Sequence, residues 1–130
     1  MIYLDTSAIV TLLSRCHYAR ELGEYLASRP SIPMATSSLG FVETVRTMDQ
    51  VGDFPSLIRE LVRDFTEILL TDEVRNAAAT LPGRARTLDA VHVASAQIMG
   101  DALDVLISYD KRMLDVAKEI GLPVAAPGLI

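Results

Sequence analysis

Short runs of apolar residues alternate along the chain with longer stretches in which apolar positions recur every three or four residues. The short runs are typical of buried strands and the longer ones of amphipathic helices. Strand runs are expected at 2–4, 32–35, 67–70, 104–108 and 123–125. Helices are expected at 6–13, 17–28, 36–51, 54–65, 71–81, 87–99 and 110–120. Strands that alternate with helices predict an α/β fold of three layers, with a central parallel sheet of about five strands.

The length and composition favour one independently folding unit. The 130 residues contain no internal repeat and no Gly/Ser linker, and half of them are hydrophobic. We therefore expect a single domain over residues 1–130. The one cysteine, Cys16, excludes an internal disulfide. No apolar run approaches the ~20 residues of a membrane span, so we expect a soluble, cytoplasmic protein with no membrane partner.

The helical runs 36–51 and 54–65 predict a hairpin with a broad apolar face. In the second run, hydrophobic residues repeat at helical spacing: Phe54, Leu57, Ile58, Leu61, Val62 and Phe65. We expect this stripe to be mostly core. Any excess beyond what the core needs would form an interface with another protein.

Four acidic residues stand out by their position. Asp5 and Asp110 each follow a predicted strand and open a helix, so each is either a helix cap or a residue of a functional crevice. Glu43 and Asp89 lie on or beside the apolar face of their helices. A carboxylate there costs free energy unless it is paired or binds a cation.

Considered together, the four acids predict a metal site. Crowded carboxylates repel one another unless a cation neutralises them. Ligands that are all oxygen suit hard cations, so Mg²⁺ is expected, with Mn²⁺ able to substitute. Zinc is disfavoured, because Cys16 and His17 are adjacent and no second spaced pair of zinc ligands exists.

Several neighbouring side chains have two explanations each. His92 lies three residues after Asp89 and could support a carboxylate, but a core histidine is the favoured explanation. Ser7 and Ser108 flank the strand-end acids and could either assist the site or cap helices. Arg84 and Arg86 could bind phosphates, or they could belong to a solvated surface.

The net charge of −5 argues against a nucleic-acid partner, because phosphate-binding proteins are usually basic. Two features could offset this charge. Bound cations would neutralise part of a carboxylate cluster, or a partner subunit could supply arginines.

Four segments appear in an order that resembles the PIN domain, and especially the VapC-type toxins of bacterial toxin–antitoxin pairs. They are Leu4-Asp5-Thr6-Ser7-Ala8, Glu43, Leu88-Asp89-Ala90-Val91-His92 and Ser108-Tyr109-Asp110-Lys111-Arg112. The resemblance implies a three-layer α/β/α fold and a metal-dependent endoribonuclease, usually homodimeric. It also implies inhibition by a VapB-type antitoxin that wraps the helical hairpin. By position, Asp5, Glu43, Asp89 and Asp110 match the family's acidic residues.

The working hypothesis is phosphodiester hydrolysis, with Asp5 and Asp89 as principal Mg²⁺ ligands and Glu43 holding a second ion or orienting the nucleophile. A phosphatase of the haloacid-dehalogenase type would use Asp5 as nucleophile, but it would need an acid at Ser7. A receiver-like domain would use Asp72 and would need paired acids beside Asp5. From another class, the alternative is a PIN-fold module that binds its antitoxin without nuclease activity.

Overall fold

The computed structural model describes all 130 residues as five strands and seven α-helices, with a 3₁₀ turn at Gly100–Ala102. The strands are β1 (Ile2–Leu4), β2 (Met34–Ser37), β3 (Phe65–Ile68), β4 (Val105–Ile107) and β5 (Val124–Ala125). The helices are α1 (Thr6–Ser14), α2 (Ala19–Ala27), α3 (Ser38–Asp49), α4 (Leu57–Asp64), α5 (Asp72–Ala79), α6 (Thr87–Gln97) and α7 (Lys111–Glu119). None of these helices has the length and hydrophobicity needed to cross a membrane.

The five strands form one parallel sheet in the order β3-β2-β1-β4-β5, as expected for an α/β fold. From β1 the chain first builds outward through β2 and β3. It then crosses back to place β4 on the other side of β1. The carboxyl ends of β1 and β4 therefore flank a topological switch point, where sheets of this kind bind their ligands.

Alternate residues of the central strands enter two separate hydrophobic cores. Ile2 and Leu4 pack with residues of α1 to α4, whereas Tyr3 packs with residues of α6 and α7. In β4, Leu106 shares the core of Tyr3, and its two neighbours lie in the other core. Helices thus cover both faces of the sheet, which confirms the three-layer prediction.

Two strands lie a little away from their predicted positions. β2 spans Met34–Ser37 rather than 32–35, and β3 spans Phe65–Ile68 rather than 67–70. The register explains the second shift, because Phe65 pairs with Met34 and its side chain is buried. Leu69 and Leu70, which look like strand residues in the sequence, extend beyond the sheet and are exposed.

The apolar stripe of the second hairpin helix is only partly core. Leu57, Leu61 and Phe65 are buried, while the other three residues, Phe54, Ile58 and Val62, are exposed. The expectation of a mostly buried stripe is therefore wrong. Helical spacing identifies one face of α4, but that face is wider than the surface available against the sheet.

Candidate active site

The switch-point crevice holds two of the four acids directly. Asp5 follows β1 and is the N-cap of α1. Asp110 lies after the end of β4, which pairs with β1, and it is the N-cap of α7. Because parallel neighbouring strands end at the same edge of a sheet, the two caps lie on the same side of the molecule. Both acids are thus caps, and both also lie in the expected crevice.

Asp5 is almost completely buried, with 2% of its surface exposed. Its Oδ1 accepts hydrogen bonds from Ser7 Oγ at 2.7 Å and from the Ala8 amide at 2.9 Å. Its Oδ2 accepts from Ser108 Oγ at 2.6 Å. Burial raises the pKa of the Asp5 carboxyl, although the nearby His92 and these hydrogen bonds oppose the rise.

Two serines connect Asp5 to the residues after β4. Ser7 Oγ accepts from the Tyr109 amide at 2.9 Å, and Ser108 Oγ accepts from the Asp110 amide at 3.0 Å. Both serines were candidate supporting residues in the sequence, and the structure places both against Asp5. They hold the two strand ends in a fixed relation through four hydrogen bonds.

Glu43 projects from α3 into a second hydrogen-bonded group. Its Oε1 lies 2.6 Å from Thr6 Oγ1 and 2.8 Å from His92 Nε2. The other ring nitrogen, Nδ1, lies 2.8 Å from the hydroxyl of buried Tyr3.

These contacts hold the ring of His92 between Tyr3 and Glu43. Burial raises the pKa of Tyr3 well above its ordinary value, so its hydroxyl keeps its proton while it is hydrogen-bonded to Nδ1. Nε2 of His92 donates to Glu43 Oε1. Burial alone would raise the pKa of Glu43, but the hydrogen bonds from His92 and Thr6 outweigh that effect and lower it. His92 is buried, as the favoured explanation expected, and it also orients a site carboxylate.

Arg86 joins the remaining two acids. Its Nε lies 3.2 Å from Asp89 Oδ2, and its second guanidinium nitrogen lies 3.3 Å from Asp110 Oδ2. The arginine side chain is 65% exposed, so these ion pairs are weak and easily exchanged. Arg84, the other arginine of this loop, instead pairs with Glu119 of α7. Of the two arginines, only Arg86 reaches the acids.

A cavity of about 380 Å³ opens beside these groups. It is lined by Glu43, Arg86, Thr87, Leu88 and Asp89. Glu43 and Asp89 each retain one carboxylate oxygen that accepts no hydrogen bond from the protein. A larger cavity of about 420 Å³ lies between α5 and α6 and is mostly apolar.

The chemistry of the donors fits a hard divalent cation, since the groups at the cavity are carboxylates with free oxygens. No three of the His, Cys, Asp and Glu side chains, however, are arranged as a ready-made metal site. The guanidinium of Arg86 already supplies a positive charge to Asp89 and Asp110. The expectation that all four acids bind one metal centre therefore stays a prediction.

Two residues that are hydrogen-bonded to Glu43 and His92 cannot be recognised as site residues from the sequence. Thr6 lies within the quoted Leu4–Ala8 segment, yet only the structure shows that its hydroxyl donates to Glu43. Tyr3 lies in a strand run that reads as purely apolar. The alternation of side chains along a strand places Tyr3 on the opposite face of the sheet from its neighbours. It does not reveal that α6, which packs on that face, carries His92.

Comparison with known proteins identifies the fold family. The PIN-domain family model matches residues 2–119. The chain belongs to the PIN-domain family. This match confirms the resemblance to the PIN domain that the sequence motifs indicate.

This PIN domain also has curated relatives of nearly identical length. It is 38% identical over 128 residues to ribonuclease VapC46 of Mycobacterium tuberculosis, with 97% of each chain covered. It is 36% identical over 135 residues to ribonuclease VapC47 of the same species, covering 100% of this chain and 99% of that one.

Solved structures support the same fold. FitAcB from Neisseria gonorrhoeae superposes with a TM-score of 0.69 at 16% identity, and all of both chains is covered. VapBC-1 from nontypeable Haemophilus influenzae gives a TM-score of 0.64 at 15% identity, covering 97% of this chain and 98% of that one. At such low identity these structures establish the fold of this PIN domain alone.

Proposed function

We propose that this PIN domain is a VapC-type toxin, an endoribonuclease that hydrolyses RNA phosphodiester bonds with Mg²⁺ or Mn²⁺. The observation that carries the proposal is the cavity in which Glu43 and Asp89 present free carboxylate oxygens, beside the switch point where Asp5 and Asp110 follow β1 and β4 and cap the next helices. Similarity to ribonucleases over almost the whole chain supports the same conclusion.

Asp5, Glu43, Asp89 and Asp110 would hold the cation. When bound, it would polarise the scissile phosphate and make water a better nucleophile at neutral pH. This chemistry needs no separate histidine base, in agreement with a His92 that is committed to Glu43 and Tyr3.

The chain's own residues would prepare the site for this reaction. Ser7 and Ser108 hold the buried Asp5 carboxylate in one orientation. His92 and Thr6 donate to one oxygen of Glu43 and leave the other free. Arg86 neutralises Asp89 and Asp110 in the absence of substrate, and it is exposed enough to move onto an RNA phosphate.

A decisive test compares conservative substitutions of the acids. Asp5→Asn and Asp89→Asn keep side-chain size, and asparagine at position 5 can still cap α1. Both variants should lose Mg²⁺-dependent RNA cleavage by at least two orders of magnitude, together with growth arrest on expression. New RNA 5′ ends, mapped after brief induction, would report cleavage in cells.

Asp72→Asn is the matched control. Asp72 also lies at the start of a helix, but its side chain is 89% exposed and pairs only with Arg75. This variant should cleave like the wild type. Wild-type cleavage by Asp5→Asn and Asp89→Asn, with circular dichroism unchanged, would remove both acids from the mechanism.

We further propose a VapB-type antitoxin as the partner of the exposed part of the α4 stripe, Ile58 and Val62, and of Val42, which is exposed on α3. An antitoxin segment that covers this face would remove apolar surface from water. We also propose that the toxin acts in the cytoplasm, as a homodimer that assembles with the antitoxin into a hetero-oligomer.

The same exposed stripe supports a second candidate function, an antitoxin-binding module that has no nuclease activity. Calorimetry with Mn²⁺ on the wild type and on Asp5→Asn separates the two candidates. An enzyme should bind Mn²⁺ in a way that depends on Asp5. A pure binding module should show the same heat for both proteins.

A further inference from the structure

Three aromatic rings form a continuous stack next to the acidic crevice. The rings of Tyr18 and Tyr109 lie 5.3 Å apart with an interplanar angle of 8°. The ring of His17 covers the outer side of Tyr18, with centroids 4.0 Å apart and an angle of 29°. His17 is exposed, so the face of its ring that is turned away from Tyr18 is open to solvent.

The inner end of the stack is tied to the candidate active site. Tyr109 stands between Ser108 and Asp110, and its amide donates to Ser7, which in turn donates to Asp5. Its hydroxyl donates to the Pro127 carbonyl at 2.8 Å. The position of the stack relative to the acids is therefore determined by backbone and side-chain hydrogen bonds.

The backbone of the α1–α2 loop is unusual. Arg15 (φ 56°) and Tyr18 (φ 70°) are the only non-glycine residues of the chain with positive φ. Such conformations cost free energy and concentrate at functional sites. Tyr18 packs closely against Gly128, which gives its ring a structural role in anchoring the C-terminal segment. That role does not explain His17, which contacts the stack from the solvent side.

The charge of this loop differs from that of the whole protein. Residues 15–20 contain Arg15 and Arg20 and no carboxylate, in a chain whose net charge is −5. Both arginines are exposed, and Arg20 forms a surface ion pair with Glu21 at 3.6 Å, which an RNA phosphate could replace. Exposed rings flanked by arginines are the combination with which proteins bind single-stranded nucleic acid.

We propose that the outward face of His17 is a stacking platform for an unpaired RNA base, with Arg15 and Arg20 meeting the adjoining phosphates. The platform would hold a nucleotide beyond those at the scissile bond, because the stack begins at Tyr109, next to Asp110, and His17 is its far end. This inference rests on the proposed RNA substrate but not on a bound metal. It also addresses how an acidic protein obtains affinity for RNA.

The test measures binding of a fluorescein-labelled, unstructured RNA oligonucleotide by anisotropy, in EDTA at low ionic strength. His17→Ala should raise Kd about tenfold, the loss expected for one base–aromatic stack. His17→Phe should restore binding to within about twofold, since phenylalanine also offers a ring face. Cys16→Ala, at the neighbouring exposed position, is the control and should bind like the wild type.

An oligonucleotide of the same length with abasic positions identifies the ligand. On that RNA, His17→Ala and the wild type should bind equally. The inference would be overturned if His17→Ala and the wild type had equal Kd values for intact RNA. It would also be overturned if His17→Ala bound abasic RNA more weakly than the wild type, or if the wild type failed to bind RNA in EDTA. Cleavage of RNA by the wild type with Mg²⁺ is measured separately. The failure of the stacking proposal can therefore be distinguished from the failure of the proposed nuclease function.

Discussion

At the residue scale, Asp5 combines two roles that a sequence presents as alternatives. One oxygen caps α1 through the Ala8 amide, and the other accepts from Ser108 across the crevice. A capping aspartate on the surface would be stabilising at neutral pH. Asp5 is buried instead, and burial disfavours its charged form.

This burial predicts an unusual pH dependence. A carboxyl whose pKa is raised in the folded state stabilises the protein fully below its unfolded pKa, and that contribution is lost as the pH rises through the folded pKa. In EDTA, Asp5→Asn should therefore have a larger free energy of unfolding than the wild type at pH 7. The two should converge as the pH falls toward 3.8, the ordinary value. Urea denaturation across this range measures the difference.

Divalent cations should reduce the difference in the free energy of unfolding between Asp5→Asn and the wild type, because a bound cation stabilises the ionised Asp5 carboxylate. Mn²⁺ is expected to raise the midpoint of wild-type unfolding and to leave that of Asp5→Asn unchanged. An Asp5→Asn protein less stable than the wild type at pH 7 in EDTA would contradict this explanation.

Arg86 allows a second prediction at the residue scale. Its guanidinium pairs with Asp89 and Asp110, where a cation is proposed to bind. Arg86→Gln should raise the affinity for Mn²⁺ severalfold in calorimetry, since the internal counter-charge is removed. Arg84→Gln removes the same charge two residues away, from a pair with Glu119, and should change the affinity little. Weaker Mn²⁺ binding by Arg86→Gln alone would show that the arginine supports the metal site.

At the element scale, α3 places Glu43 by packing closely on β2. A Cβ at Gly40 would lie 2.2 Å from Thr36 Oγ1, a buried oxygen without a hydrogen-bond partner. Gly40→Ala should therefore lower the free energy of unfolding by ~1–3 kcal/mol, despite the better helix propensity of alanine. Chemical denaturation measures this change, and RNA cleavage reports whether α3 has moved.

Two further variants test whether the clash with Thr36 causes the destabilisation of Gly40→Ala. Gly23→Ala in α2 meets no neighbouring atom and should be neutral or stabilising by up to ~1 kcal/mol. In the double variant Thr36→Ala/Gly40→Ala, the clashing oxygen is absent, so the two losses should be less than additive. Full additivity would mean that Thr36 is not what limits the approach of the helix.

At the scale of the whole molecule, the exposed half of the α4 stripe predicts where the antitoxin binds. Ile58 and Val62 are 49% and 61% exposed, so aspartate at either position should leave the free energy of unfolding within about 0.5 kcal/mol. Each variant should nevertheless escape neutralisation when expressed with the antitoxin, because a buried unpaired charge would oppose binding.

Ile130→Asp is the control for this experiment, since Ile130 is also exposed but lies at the C-terminus. It should remain neutralised by the antitoxin. Growth assays on co-expression, with co-purification of the two proteins, measure the outcome. Normal neutralisation of both α4 variants would place the antitoxin on another face.

Much of this architecture is already determined by the order of local patterns. Alternating strand and helix runs favour a parallel sheet, and Asp5 and Asp110 can be assigned to strand-to-helix turns because each lies between a strand run and a helix run in the sequence. These are local properties, so neighbouring residues are sufficient to predict them. The quoted segments around the four acids likewise suffice to indicate the PIN family.

Only the tertiary structure decided which side chains meet. The hydrogen bonds between Tyr3 and His92 and between Ser108 and Asp5 each join residues about ninety or more positions apart, and no local pattern encodes such a pair. The structure also decided which half of the α4 stripe is core, because burial depends on the area that the sheet and α3 offer. Periodicity specifies the direction in which a side chain points, whereas its partner is set by the packing of elements that are distant in the sequence.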